Sequence, residues 1–356
     1  MCASITVLNS DKTEFNFSKV TVDTHYNIIL HCVYDPFGDF DREFAFLHDP
    51  KYDSNTLIIL WHPVEQGDFQ SEWMNKLDAI VEQAAYRLVY LTGCSHKLNV
   101  HEIIPHKFDL QFFPVFDLRS VDVWSYHGGA KPISTYKTKK FMFVNSKDTA
   151  HRRYVLGHLL DVLDDGYVTY RCQEGLSNTA LDFNTDRGFS EDFLTHAQSI
   201  FDSCLPNIPI KYDDLTVASG LSRNLFVDSY LNIVAETQFV NLPSEFNRSF
   251  VTEKTFNAIA NNQLFIVVGH ANSLDLLKSL GYRTFDKIID ESYDTISNNQ
   301  DRLNAVIAEI KRFISRPIAE IRQDYLKVLD VLEHNRDLMF SQRLDDRLQR
   351  LLCQIT

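Results

Sequence analysis

The sequence predicts an α/β protein built on two open parallel sheets, and three observations carry that reading. Short apolar runs alternate with amphipathic stretches, the pattern of buried strands joined by helices. The alternation occurs twice, once on each side of a stretch at 125–140 whose Tyr-His-Gly-Gly-Ala-Lys-Pro and Thr/Lys composition suits a linker. With 356 residues, 44% of them hydrophobic, and only 12 Gly and 10 Pro, the chain can bury two cores and is neither disordered nor collagen-like. Two similar-sized α/β halves suggest two Rossmann-like domains facing a central cleft, with the carboxyl ends of both sheets lining it.

In the first half, 27–33, 56–61, 87–91 and 111–116 read as strands, and the apolar spacing from Ser71 to Tyr86 is that of a helix. The second half opens with a strand at 140–145 and a helix from His151 to Leu163 that stops at Asp164-Asp-Gly166. Strands at 167–170, 229–235 and 264–268 follow, with helices at 252–261 and 273–280; Gly281 fits the C′ position, where a left-handed backbone costs glycine little. From Asn298 onward the pattern is helical, with Pro317 opening a second segment and a charged, Leu-punctuated stretch from Gln342 closing it. The expected domains are 1–135, 136–297 and a C-terminal helical tail, 298–356.

The charge balance is 35 − 48 = −13, so the overall field does not gather polyanions such as nucleic acid, although Lys131, Lys137, Lys139 and Lys140 could form a local basic cleft. The six cysteines are scattered without a CxxC pair, which suits free, mostly buried thiols in a reducing compartment. No basic-apolar leader opens the sequence and no apolar run is long enough to cross a bilayer, so a cytoplasmic protein is expected. No HExxH, Walker loop, GxGxxG fingerprint or Gly-x-Ser-x-Gly elbow occurs. Asp39 and Asp41 have the spacing of a carboxylate pair without the context of a metal site, so no metal and no cofactor is expected.

The most informative segment runs from Phe250 to Gly269. Thr252 is placed to cap a helix whose first turn holds Glu253 and Lys254. A lysine there opposes the helix dipole unless an anion sits beside it. One reading is a diphosphate held by the helix start and Lys254, with Glu253 accepting ribose hydroxyls; the other is an ordinary solvated helix start.

This Val-Thr-Glu-Lys run, with Asn257-Ala258 and the apolar strand after it, resembles the Tyr-Val-Thr-Glu-Lys signature of fucosyltransferase-like glycosyltransferases of the GT-B fold. Tyr230 to Thr237 is similar to that family's strand ending in Phe-Glu-Asn-Ser, with Ala235 and Thr237 in place of the aromatic and the asparagine. Phe141 to Ser146, followed by Arg152 and Arg153, resembles its Ser-Asn strand and downstream arginine. The resemblance covers roughly Phe141 to Gly269 and does not reach the N-terminal domain. It implies an enzyme that moves a sugar from a nucleoside-diphosphate donor to a glycan or other hydroxyl acceptor, by inversion and without a metal. The donor site would comprise Thr252, Glu253, Lys254, Glu236, Asn145 and Arg152 or Arg153, with Arg223 as a second arginine candidate. Read without the resemblance, Arg152 and Arg153 fit a solvated helix face.

An acceptor-activating base must then come from the N-terminal, acceptor-side domain. Glu65 and, second, His62 follow the apolar strand ending at Trp61, where open α/β sheets carry functional loops; the loop from Asp35 to Asp41 is a rival. Ser279 to Asp286 and Ile289 to Asp294 are similar to a pattern of phage-encoded glycosyltransferases; their acids would bind sugar hydroxyls or simply cap the helices that follow. That likeness raises one alternative, a phage enzyme that glycosylates a hydroxymethylated base in DNA. A second is a non-catalytic nucleotide- or partner-binding protein on a degenerate transferase fold.

Overall fold

The computed structural model describes residues 2–3, 5–8, 22–32, 40–61, 71–92, 95–96, 107–114, 116–145, 149–170, 189–204, 223–240 and 248–356. The longer strands are β1 Ile5–Leu8, β2 Asn27–Cys32, β3 Thr56–Trp61, β4 Arg87–Thr92, β5 Asp109–Phe112, β6 Lys139–Asn145, β7 Gly166–Tyr170, β8 Ser229–Ala235 and β9 Leu264–Val268. The helices longer than one turn are α1 Ser71–Val81, α2 Phe116–Tyr126, α3 Ala150–Gly157, α4 Glu191–Cys204, α5 Arg223–Val227, α6 Glu253–Ala260, α7 Ser273–Ser279, α8 Asn299–Ile314, α9 Ile318–Lys327, α10 Leu329–Ser341 and α11 Leu344–Ile355. None of them is long and apolar enough to cross a membrane.

The chain divides into two compact α/β units, Met1–Leu118 with Gln342–Thr356, and Arg119–Ser341. The expected boundaries at 135/136 and 297/298 differ from this division. The stretch after α2 is no loose linker, because Lys137 is buried and donates to the Val227 carbonyl at 2.8 Å, and Tyr230 Oη donates to the Thr135 carbonyl at 3.2 Å. Gly128 and Gly129, at φ 92° and 67°, turn the chain out of α2 in a left-handed conformation open to glycine.

In the first unit the strand order is β1-β2-β3-β4-β5, every pair parallel. Every step runs the same way, and parallel crossovers are right-handed, so the connections gather on one face. There Phe40, Phe44, Trp73 and Leu77 pack on Ile58, Leu60 and Tyr90. The opposite face, with Ile28, Leu30, Leu57, Ile59, Val89 and Leu91, is closed by α11 through Leu348, Leu351, Leu352 and Ile355. Truncating a buried leucine in such a contact costs about 2–5 kcal/mol. The C-terminal helix is therefore structural to the first unit, whereas α8 to α10 belong to the second.

In the second unit the order is β7-β6-β8-β9, again all parallel. The first strand, β6, lies inside the sheet: the chain steps one way to β7 and the other way to β8 and β9. The order reverses between β6 and β8, which makes the carboxyl ends of those two strands the topological switch point. Gly166 starts β7 because a Cβ there would lie 2.6 Å from the Phe141 ring. Gly281, at φ 90°, ends α7 as expected at C′.

The strand expected at 111–116 is β5, Asp109–Phe112: Pro114 has no N–H for a ladder, and Phe116 already opens α2. The helix expected at 151–163 is α3 followed by a 3-10 segment, Leu160–Asp165. Phe113 and Phe116 are buried, with Phe113 edge-on to Trp61 at 5.9 Å. Cys353 on α11 is exposed rather than buried.

Candidate functional site

Of the residues expected to bind a donor, Thr252, Glu253, Lys254, Glu236, Asn145 and Arg152 lie at the switch point of the second sheet. β8 ends at Ala235, and the next residue, Glu236, is wholly buried. Its Oε1 accepts from Thr252 N at 3.0 Å and from Thr255 Oγ1 at 2.7 Å, and its Oε2 accepts from Thr252 Oγ1 at 2.6 Å. The carboxylate thus ties the strand end to the first turn of α6. Three hydrogen bonds fix Glu236 as a brace behind the helix start; the resemblance places the same residue in the lining of the donor pocket.

Thr252 is the N-cap the sequence predicts, its Oγ1 accepting from Lys254 N at 3.4 Å. The Lys254 ammonium donates to Thr252 Oγ1 and to Thr237 Oγ1, both at 3.1 Å, and pairs with Glu253 Oε1 at 2.9 Å. Both side chains of that pair are about one third exposed, so this end of the helix presents a cation and a carboxylate at the surface.

Arg152 and Arg153 are both buried, which excludes the solvated helix face. Arg152 Nη2 donates to the carbonyls of Ala235 and Glu236 at 3.0 and 3.1 Å. Arg153 Nη1 donates to Gln198 Oε1 on α4. Neighbours on a helix are about 100° apart, so the two guanidinium groups point different ways. Of the pair, Arg152 is the one at the switch point.

Asn145 ends β6 and is buried, and its Nδ2 makes no hydrogen bond among the described residues. An unsatisfied buried donor costs about 1–3 kcal/mol and calls for an explanation.

Arg223 lies elsewhere. It sits on α5, just before β8 begins, at the amino edge of the sheet, and β8 is roughly 20 Å long at 3.3 Å per residue. Its Nη1 and Nη2 donate to the His127 and Gly129 carbonyls, each at 2.8 Å, and the guanidinium lies 5.1 Å from the Trp124 ring centre. It holds the turn after α2, far from Lys254.

Lys137, Lys139 and Lys140, three of the four lysines offered as a basic cleft, share that amino edge and are engaged. Lys139 Nζ donates to the Asp164 carbonyl at 2.6 Å, and Lys140 Nζ pairs with Asp165 at 2.8 Å. Burial pushes the Lys137 amine down to about 8.

His62, Glu65 and the loop from Asp35 to Asp39 lie outside the described residues; Asp41 is exposed on a single helical turn, Phe40–Glu43. Glu291 accepts from Lys278 Nζ, Thr284 Oγ1 and Phe285 N at 2.8–2.9 Å, and Asp290 caps the 3-10 turn through Ser292 N at 3.0 Å. Asp290 thus performs a capping role, whereas Glu291 ties the loop at Thr284 and Phe285 to α7. Among the described residues no three His, Cys, Asp or Glu side chains gather as a metal site.

Sequence reasoning passes over a second layer behind the switch point. His151 Nε2 donates to the Glu236 carbonyl at 3.1 Å; since a carbonyl only accepts, Nδ1 is left to accept from Thr149 Oγ1 at 3.2 Å. Burial holds its pKa well below the ordinary value, so the ring is neutral. It stacks on Phe239 at 5.2 Å, and the buried Arg302 guanidinium lies 4.5 Å from the same ring. Arg302 donates to the carbonyls of Gly269, Ile296, Ser297 and Phe239 and to Asn299 Oδ1, joining α8 to the ends of both β8 and β9. One signal was available: Arg302 falls in the stripe of Leu303, Val306, Ile310 and Phe313, on the buried face of α8.

No protein-family model matches this chain, and no curated protein matches its sequence. Among solved structures, the chain is similar to the DNA-modifying enzyme beta-glucosyltransferase, whose crystal structure was determined in the presence and absence of its substrate uridine diphosphoglucose. The identity is 10% and the TM-score 0.42, over 92% of this chain and 80% of that one.

Proposed function

We propose that this chain is a sugar-nucleotide-dependent glycosyltransferase of the GT-B class, with the donor bound by the second unit and a hydroxyl acceptor by the first. The observation that carries the proposal is the Lys254 ammonium, held at the start of α6 beside the switch point of the second sheet. A helix start supplies unpaired N–H groups and positive potential, and a fixed cation beside it complements a diphosphate. As the bond from the anomeric carbon to the diphosphate breaks, negative charge grows on the leaving oxygen, where such groups lower the barrier. The Nδ2 of Asn145, which has no hydrogen-bond partner among the described residues, is a further donor at the same edge. Glu253 is the proposed ribose contact, and the likeness of the Val-Thr-Glu-Lys run to the fucosyltransferase-like signature supports the same assignment.

Inverting, metal-independent transfer needs a base for the acceptor proton, and Glu65, with His62 second, is proposed for it. The preferred acceptor is a glycan or other hydroxyl compound. A hydroxymethylated base in phage DNA is the alternative, and the engagement of Lys137, Lys139 and Lys140 in local contacts weighs against a DNA groove built from them.

Thermal unfolding with uridine, guanosine and adenosine diphosphates and their sugar conjugates tests the donor assignment, because a ligand of the folded state raises Tm by mass action. One of them should raise Tm in the wild type and not in Lys254→Ala. Release of nucleoside diphosphate from the stabilising conjugate then marks an enzyme; stabilisation without release marks a non-catalytic binder; no shift with any of them refutes the donor site.

A further inference from the structure

We infer that Glu236 is a positioning residue that sets the Lys254 ammonium through the hydroxyl of Thr252. The inference rests on the donor reading above for its purpose, but its geometry stands independently. Glu236 Oε1 is occupied by two donors, the backbone N–H of Thr252 and the hydroxyl of Thr255. Oε2 is the acceptor facing Thr252 Oγ1, at 2.6 Å. The single hydroxyl proton of Thr252 is therefore directed at the carboxylate, as in a charge-assisted hydrogen bond. Its lone pairs are then turned outward, and the Lys254 ammonium sits on them at 3.1 Å.

The direction of that one proton is what a carboxylate fixes and an amide does not. In Glu236→Gln the amide oxygen must stay at the Oε1 position, since an NH2 group there would confront the Thr252 N–H and the Thr255 hydroxyl. The amide nitrogen then falls opposite Thr252 Oγ1 and donates to it. The hydroxyl proton is driven round toward Lys254, a cation with no acceptor to offer, and the contact between them is lost. An isosteric change in a fully buried group thus releases a lysine about one third exposed. The last carbonyls of β8, pinned by Arg152 and by His151, keep the Glu236 backbone fixed while this happens.

The test is the chemical reactivity of Lys254, read by trace acetylation of the folded protein and mass spectrometry of the modified lysine. In the wild type and in Thr252→Ser the amine should be slow. In Glu236→Gln it should react about fivefold faster, the factor equivalent to one net hydrogen bond of about 1 kcal/mol. Thr255→Val, which removes a donor from Oε1 but leaves the Thr252 hydroxyl in place, should match the wild type. If Glu236→Gln does not fold, Thr252→Val carries the test, with the same rise expected. A wild-type rate in whichever of these two variants folds overturns the inference. Repeating the labelling with uridine or guanosine diphosphate separates the two readings: absence of protection in the wild type counts against the donor site and leaves the positioning of Lys254 intact.

Discussion

Arg347 on α11 forks onto both carboxylate oxygens of Asp117 on α2, Nη1 to Oδ1 at 2.9 Å and Nη2 to Oδ2 at 2.6 Å, with Asp117 almost wholly buried. Arg347 also donates to the Pro114 carbonyl, and the Ile355 carbonyl at the other end of α11 receives Arg87. Polar contacts thus clamp both ends of the helix that covers the first sheet.

Breaking both halves of that pair should therefore cost less than the two single losses added together. Arg347→Met alone should lower the unfolding free energy by about 3–5 kcal/mol, because it strands the buried Asp117 carboxylate; Asp117→Asn should cost less, since the partly buried Arg347 keeps the Pro114 carbonyl and Gln342 Oε1. The double variant should lose less than the sum. Urea unfolding of the four proteins in a double-mutant cycle measures the coupling.

Acid should loosen the layer behind the candidate site. His151 is held neutral in the fold, its pKa well below the 6.5 of the free side chain. The unfolded chain then binds a proton that the native state refuses, so stability present above 6.5 is lost as pH falls. His151→Gln should be less stable than wild type near neutrality and narrow that gap as pH drops, which denaturant titrations at a series of pH values would show.

Asp294 works in the opposite sense. Its carboxylate accepts from Leu274 N with both oxygens at 3.1 Å, yet burial pushes its pKa up to about 6 from 3.8. The native state holds this proton more tightly than the unfolded one. Its stabilisation is complete below 3.8 and is lost as pH rises through about 6, by up to roughly 3 kcal/mol. Asp294→Asn should not show that dependence, and the carboxyl titration followed by NMR should give a midpoint well above that of an exposed aspartate.

Gly166→Ala should destabilise the second unit by about 1–3 kcal/mol through overpacking, since its Cβ would stand 2.6 Å from the Phe141 ring. Phe141→Leu in the same chain should recover part of the loss, read as Tm.

The parts of the fold written in continuous apolar runs were legible: Thr56–Trp61, Ser229–Ala235 and Leu264–Val268 lie where their sequences put them, because a strand buried on both faces needs no other signal. Thr252 was legible as a cap for a similar reason, since capping is local chemistry. The roles of Glu236 and Arg223 were not. Glu236 reads as any acid after a strand until the packing shows its carboxylate under α6, and Arg223 is close in sequence to β8 while lying at its wrong end. Which edge of a sheet a residue occupies depends on topology, and hydropathy carries no record of it. The tail showed the same limit: its amphipathic helices were visible, but not that α11 belongs to the first unit and α8 to α10 to the second.

That division of the tail governs the order of assembly during synthesis. A ribosome delivers β1 to β5 first and α11 only after the whole of the second unit has emerged. Until then one side of a five-stranded sheet, with Ile28, Leu30, Leu57 and Val89, lacks the cover that α11 supplies and is open to chaperones or to another nascent chain. The second unit, made in one stretch, has no such wait. The part begun first is the part finished last, and a stall or a stop codon shortly before Gln342 would leave a folded second unit joined to a sticky, half-clad first one.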